Sequence, residues 1–319
     1  MGLFKRLSKK KSKSEKHKKK STQEKYNFYS IKDNYETYEA LQDDLRKSGL
    51  ESSQLIIGID YTKSNTWNGK KTFGDKSLHH LSYRSLNPYQ EVIEIVGKTL
   101  EPFDDDNQIP VYGFGDIATT DKAVFPFFPD ERPCNGFQEV LNRYNEITPN
   151  IKLGGPTNFA PLIDKTIDIV KETGEYHILV IIADGQVSKP KDTANAIIRA
   201  SRYPISIIMV GVGDGPWDEM ERYDDELPTR KFDNFQFVNF HQIMSNKYVE
   251  NHEIEFARNA MMEIPEQYQA IKRLRLLDDL PVQPPSGNNI ASKPSTSYGD
   301  LHYAQYNNNN YYNPPTAPH

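Results

Sequence analysis

The chain has almost no cysteine. Cys134 is the single one in 319 residues. That excludes an internal disulfide, and it excludes a RING finger or zinc ribbon built from these residues, because such sites need several thiolates. Long apolar runs are missing as well. The longest, Ile-Leu-Val-Ile-Ile-Ala at 178–183, is strand length and far short of the roughly 20 residues of a membrane span. No apolar h-region follows the N-terminus, so no secretory signal is expected. A single thiol suits a reducing compartment. The expected location is the cytoplasm, with the inner face of the plasma membrane or the nucleus as alternatives. Hydrophobic residues make up 36% of the chain and mean hydropathy is −0.73. These values suggest a core flanked by polar ends that do not pack.

The formal net charge of −5 conceals an asymmetry, because residues 1–20 hold ten Lys or Arg against one Glu. About +9 sits on that arm and about −14 on the rest. Residues 1–29 therefore read as a basic, disordered arm and 271–319, with SKPSTS and NNNNYYNPP, as a low-complexity tail. One domain is expected between them, over 30–270.

Within that domain strands and helices alternate. Helices are expected over 30–48, 88–100, 137–147, 159–171 and 193–202 from their apolar spacing, and further helix up to about 262. Strands are expected over 54–60, 109–114, 176–183, 205–210 and 235–238. Near-continuous apolar strands alternating with amphipathic helices imply an α/β fold, a doubly wound and mostly parallel sheet with helices on both faces.

Such sheets bind ligands beyond the carboxyl ends of their strands. Three expected strand ends carry an acid: Asp60, Asp116 and Asp184. Thr62 and Ser64 follow Asp60 at alternate positions, and Thr157 lies in the turn Leu-Gly-Gly-Pro-Thr-Asn before a helix. Any one of these residues would ordinarily cap a helix or make a turn. Together, Asp60, Thr62, Ser64, Thr157 and Asp184 form an all-oxygen donor set. That chemistry suits Mg²⁺ or Mn²⁺ rather than Zn²⁺ and leaves positions for water and an incoming ligand oxygen.

The stretches LIIGIDYTKSN, GGPTNFAPLID, HILVIIADGQV and VGVGDGPWDEM carry a family resemblance. Residues 50–265, about two-thirds of the chain, resemble the von Willebrand factor A-type domain of copines. They are most similar to the copine-like domain of plant ubiquitin ligases that end in a RING. The resemblance implies a metal-ion-dependent adhesion site. Asp60, Thr62 and Ser64 would be its first loop, Thr157 its second-loop hydroxyl, and Asp184 its third-loop acid acting through water. Copines carry two C2 domains before this domain, and here only about 50 residues precede it. Calcium-driven membrane docking and intrinsic ligase activity are therefore not carried over.

The remaining motifs point elsewhere or nowhere. Gly2 is a myristoylation candidate, although Arg6 occupies the place where the motif wants Ser or Thr. Lys5, Arg6, Lys9, Lys10 and Lys11, beside Leu3, Phe4 and Leu7, would suit an anionic membrane surface. No aromatics interleave with these lysines, which argues against nucleic acid. Gly-Val-Gly-Asp-Gly at 211–215 lacks the third glycine of a dinucleotide loop and reads as a tight turn. Thr62 stands where Asp-based phosphatases need a second acid. His79, His80 and His177 read as structural or exposed. The expected function is a metal-dependent module that captures an acidic side chain of a protein partner. The alternatives are a component of protein ubiquitination and a phospholipid-binding adaptor. Whether the chain is an enzyme stays open, with binding preferred.

Overall fold

The computed structural model describes residues 35–278 apart from Gln186 and Pro228. Gly2, the basic residues from Lys5 to Lys11 and the tail from 279 onward lie outside the described residues.

Helix α1 (Tyr38–Lys47) opens the fold, its first turn capped by the Thr37 hydroxyl, which accepts from Ala40 N. Strand β1 (Gln54–Asp60) and helix α2 (Pro88–Leu100) follow. The start of α2 is fixed by a reciprocal capping box between Asn87 and Gln90, with proline at the first helical position. Next come β2 (Gln108–Ile109), β3 (Val111–Phe114), β4 (Val124–Pro126), β5 (Cys134–Asn135), α3 (Gly136–Ile147) and α4 (Ala160–Thr173). The chain continues through β6 (His177–Ala183), α5 (Pro190–Ala200), β7 (Ile205–Gly211), α6 (Asp218–Glu226) and β8 (Phe235–Asn239). Helices α7 (Phe240–Met244), α8 (His252–Met261) and α9 (Ile264–Arg273) complete it.

The main sheet has six strands in the order β4-β3-β1-β6-β7-β8. All its pairings are parallel except the edge pair β3–β4. Because side chains alternate along a strand, the apolar strands feed two cores. Ile57, Ile59, Val180, Ile182, Ile208 and Val210 pack with α1, α2, α3, α8 and α9. Ile56, Leu179, Ile181, Ile207 and Met209 pack with α4, α5 and α6. The expected doubly wound sheet with helices on both faces is the fold that forms.

Three expectations need correction. The strand expected over 109–114 breaks at Pro110, whose missing N–H cannot continue a ladder. Gln108 and Ile109 instead pair with Asn135 and Cys134 in a separate two-stranded ribbon. The antiparallel edge strand β4 was not foreseen, because three residues carry no readable period. Helix α9 crosses the boundary expected at 270. Its Ile264 and Ile271 are fully buried, and Leu276 and Leu277 still pack against the core.

Ile181 is fully buried in the β6 core layer beneath α4 and α5. Ile181→Ala should lower the free energy of unfolding by about 2–5 kcal/mol, the usual range for a buried aliphatic cut to alanine. Chemical denaturation measures this directly.

Candidate functional site

In this strand order the connections run one way from β1 and the other way from β6. The loops after those two strands separate and leave a crevice at their carboxyl ends. β1 ends on Asp60, and Asp184 follows the last residue of β6. The register pairs Ile59 with Ile182, so the two acids sit at neighbouring strand ends. Both are almost completely buried.

The first loop turns on Asp60. Its Oδ1 accepts from Thr62 N at 2.7 Å, which starts a short 3-10 turn, Lys63–Thr66. The turn brings the Thr62 and Ser64 hydroxyl oxygens to 2.9 Å from each other. The Ser64 hydroxyl donates to Asp184 Oδ1 at 3.0 Å, linking the first strand end to the second. Asn68 Nδ2 clamps Asp184 from the same side, on its backbone oxygen at 3.0 Å and on Oδ2 at 3.2 Å.

The second loop is stitched to the first. Lys63 N donates to Gly154 O at 2.8 Å, and Gly154 N donates to Tyr61 O at 3.2 Å. This approach needs glycine, since a Cβ on Gly154 would lie 2.5 Å from the Asp116 carbonyl carbon. Asp116 itself does not line the crevice. Its carboxylate accepts from Ala118 N, Thr119 N and the Thr119 hydroxyl, and so closes its own turn. Thr157 is buried, and Thr62, Ser64, Thr157 and Asp184 line one pocket of about 340 Å³.

A buried polar network holds the loop from behind. The Asp60 backbone oxygen accepts from His79 Nε2 at 2.8 Å, from Tyr89 OH at 3.2 Å and from Asn65 Nδ2 at 3.3 Å. His79 lies between Tyr61 and Tyr89, stacked on both rings. Its Nδ1 is 2.8 Å from Tyr144 OH. With Nε2 donating to a carbonyl, Nδ1 of a neutral ring accepts from the Tyr144 hydroxyl. Burial pushes the His79 pKa down to about 4, consistent with a neutral ring. His177 is likewise buried and held near 4 by desolvation, so both histidines are packing residues, as expected. The 211–215 turn is also accounted for: Asp214 accepts from Lys71 N, Thr72 N and the Thr72 hydroxyl.

The electrostatics of the rim are unbalanced. Among the described residues neither Asp60 nor Asp184 has a Lys or Arg partner. Burial raises the Asp60 pKa to about 6, although contacts with Thr62 and Asp184 hold it back. Asp184 is raised well above the usual carboxylate range, first by burial and then by the charge of Asp60. Asp60 Oδ2 is sealed from solvent and meets no donor. A proton or a cation would compensate such a pair. Two carboxylates and three hydroxyls supply oxygen only, the donor chemistry of a hard divalent ion. The residues present therefore fit Mg²⁺ or Mn²⁺. Among the described residues no cluster of three or more His, Cys, Asp or Glu side chains offers a competing site.

Sequence reasoning pointed to five residues; Thr62, Ser64, Thr157 and Asp184 line the pocket, and Asp60 is buried. It missed Asn65 and Asn68, which lock the first loop, and the His79–Tyr89–Tyr144 network behind it. A signal for the asparagines was present in their position within four residues after Ser64. For the network there was none, because its members are 10 to 65 residues apart in the chain and meet only in the fold.

The family model described as Copine matches residues 77–279. Arabidopsis thaliana E3 ubiquitin-protein ligase RGLG1 is 52% identical over 276 residues, 79% of this chain and 56% of its own length. Caenorhabditis elegans copine family protein 2 is 56% identical over 245 residues, 76% of this chain and 3% of its own length. Arabidopsis thaliana E3 ubiquitin-protein ligase RGLG5 is 49% identical over 300 residues, 86% of this chain and 69% of its own. The chain spans little more than half of the length of RGLG1. Among solved structures, manganese-loaded Plasmodium vivax TRAP protein is similar over 60% of this chain and 70% of that one, with TM-score 0.41 and 12% identity.

Folding raises the proton affinity of both rim acids, so stability without metal falls as pH rises from about 4 through about 6. In EDTA, the urea midpoint of the wild type should drop more steeply across this window than that of Asp60→Asn. Parallel curves would show that Asp60 does not hold a proton in the fold.

Proposed function

The chain belongs to the copine family, and from that premise we propose that its strand-end crevice is a divalent-cation site through which it captures a carboxylate of a protein partner. One observation carries the reading. Asp60 and Asp184 are buried side by side, Asp60 with an orphaned oxygen, and no basic side chain among the described residues offsets them. Such a pair is stable when protonated or when it holds a cation, and a surface crevice gives a cation access.

In this reading Thr62, Ser64 and Thr157 offer hydroxyl oxygens, and Asp60 and Asp184 offer charge. Ser64, already bonded to Asp184, keeps the two loops in register. Asn65, Asn68 and His79 hold the donors in place so that little is reorganised on binding. Mg²⁺ or Mn²⁺ seated there would supply positive charge and an open position for an Asp or Glu of the partner. The role is orientation and charge neutralisation rather than catalysis. Calorimetric titration of Mg²⁺ and Mn²⁺ into the full chain tests this. Saturable one-site binding is expected in the wild type, lost in Asp60→Ala and weakened at least about tenfold in Thr157→Ala. Equal binding in all three proteins, each shown folded by circular dichroism, would refute it.

A second element of the proposal concerns the basic arm. About +9 of charge beside Leu3, Phe4 and Leu7 suits recruitment to an anionic membrane, at roughly 1 kcal/mol per basic side chain near the surface. Acylation of Gly2 would strengthen it. The cytoplasmic face of the plasma membrane is the proposed location. Relatives whose printed names are E3 ubiquitin-protein ligases favour a further role, in which the module presents a captured protein to a ligase. Deleting residues 1–25 should abolish sedimentation with phosphatidylserine vesicles and leave Mg²⁺ affinity unchanged. Sedimentation that survives the deletion would place membrane contact elsewhere.

A further inference from the structure

Trp67 is 56% exposed, although tryptophan is among the residues that gain most from burial. It lies between two anchors of the rim. Its backbone N–H donates to Ser64 O at 2.9 Å, and the next residue, Asn68, clamps Asp184. The Asn68 backbone oxygen also accepts from Asp214 N at 2.7 Å. The backbone is thus held on both sides, and the indole stands on a fixed base. Among the described residues its ring contacts no other aromatic ring or cation. It nevertheless lines the pocket that holds Ser64, Thr157 and Asp184.

The same pocket is walled by Pro156 and Pro216 and edged by Lys63. Lys63 is exposed and has no acidic partner among the described residues. The pocket measures about 340 Å³. At roughly 30 Å³ per water-sized group, a carboxylate with the waters of one octahedral ion would take on the order of half of it. The remaining space has an aromatic wall and two proline walls. That is room for an apolar side chain next to the captured acid.

Resting on the carboxylate-capture reading above, we propose that Trp67 is the specificity residue of this site. It selects a partner segment in which the captured Asp or Glu adjoins a bulky aliphatic or aromatic residue. Trp67 covers the apolar neighbour, and Lys63 draws the acidic segment towards the rim. Tryptophan is enriched among the residues that carry most of the binding energy at protein interfaces, and this one stands exposed at the pocket. A phospholipid headgroup is the poorer fit, since Lys63 is the pocket's single basic lining residue and membrane surfaces are read by several.

The test uses the full chain, immobilised in Mg²⁺, to select from a random-peptide phage library in parallel with Trp67→Ala. Mg²⁺ affinity and circular dichroism of the variant are checked first, and both should match the wild type. The wild type should enrich peptides with an acid next to a bulky apolar residue, and EDTA should release them. A synthetic peptide of the enriched sequence should bind Trp67→Ala about tenfold or more weakly, and Trp67→Phe should recover most of that loss. Acid-bearing peptides with no neighbour preference, or equal affinity for Trp67→Ala, would overturn the role of Trp67 and leave carboxylate capture standing. Enrichment that ignores both acid and EDTA would instead overturn carboxylate capture itself. Wild-type binding to phosphatidylserine vesicles that disappears in Trp67→Ala would make the rim a lipid face and also reject the proposal. Failure to enrich any peptide over Trp67→Ala counts against it.

Discussion

Two carboxylates buried side by side, with no basic residue among the described ones to offset them, are the constraint around which this structure is arranged. Removing a carboxylate from water costs several kcal/mol unless a proton, a cation or a strong set of donors compensates. Asp60 and Asp184 have partial compensation: a backbone N–H on one, and a serine hydroxyl and an asparagine amide on the other. The shortfall shows in the raised proton affinity of both. The fold therefore leaves room for a positive species beside this pair, and sheet topology fixes where the pair lies. The strand order reverses between β1 and β6, and each of these strands delivers one acid to the crevice.

The rest of the domain makes the crevice rigid. Two apolar layers, one on each sheet face, hold β1 and β6 in register. Three donors converge on the Asp60 backbone oxygen, and the ring of His79 is fixed between two tyrosines. Polar networks of this kind strengthen when every member is satisfied. Here the network ties α2, through Tyr89, and the more distant α3, through Tyr144, to the loop after β1. Gly154 lets the second loop lie against the backbone at Asp116, which brings Thr157 to the same pocket. The oxygen atoms at the crevice are thus positioned by the scaffold.

Much of this was legible in the sequence, and the limits have physical causes. Strand β1 and helix α2 were read with their observed ends because each has sharp local signals: an apolar run closing on Asp60, and Asn87-Pro88 opening a helix. The rim residues were legible because Asp60, Thr62 and Ser64 lie within five positions, and the acids fall at strand ends. The edge strand β4 was not legible, since its pairing is decided by the neighbour β3 and not by its three residues. Asp116 sits at a strand end like the other two acids, yet it spends its carboxylate on its own turn. Sequence position alone cannot separate these outcomes, because they depend on which way the backbone leaves the strand. The same holds for His79, whose role comes from rings and hydroxyls contributed by distant segments. Trp67 was visible as a residue, but its exposure beside the rim is a property of the fold.

The most direct measurement is the number of protons released when Mg²⁺ binds the full chain at pH 6, obtained by calorimetry in two buffers of different ionisation enthalpy. If the buried pair waits for a cation, binding must displace a proton that the pair otherwise holds, and release should vanish in Asp184→Asn. Saturable binding with no proton exchange, or the same release from Asp184→Asn, would contradict the account, because the cation would then sit somewhere other than between these two acids.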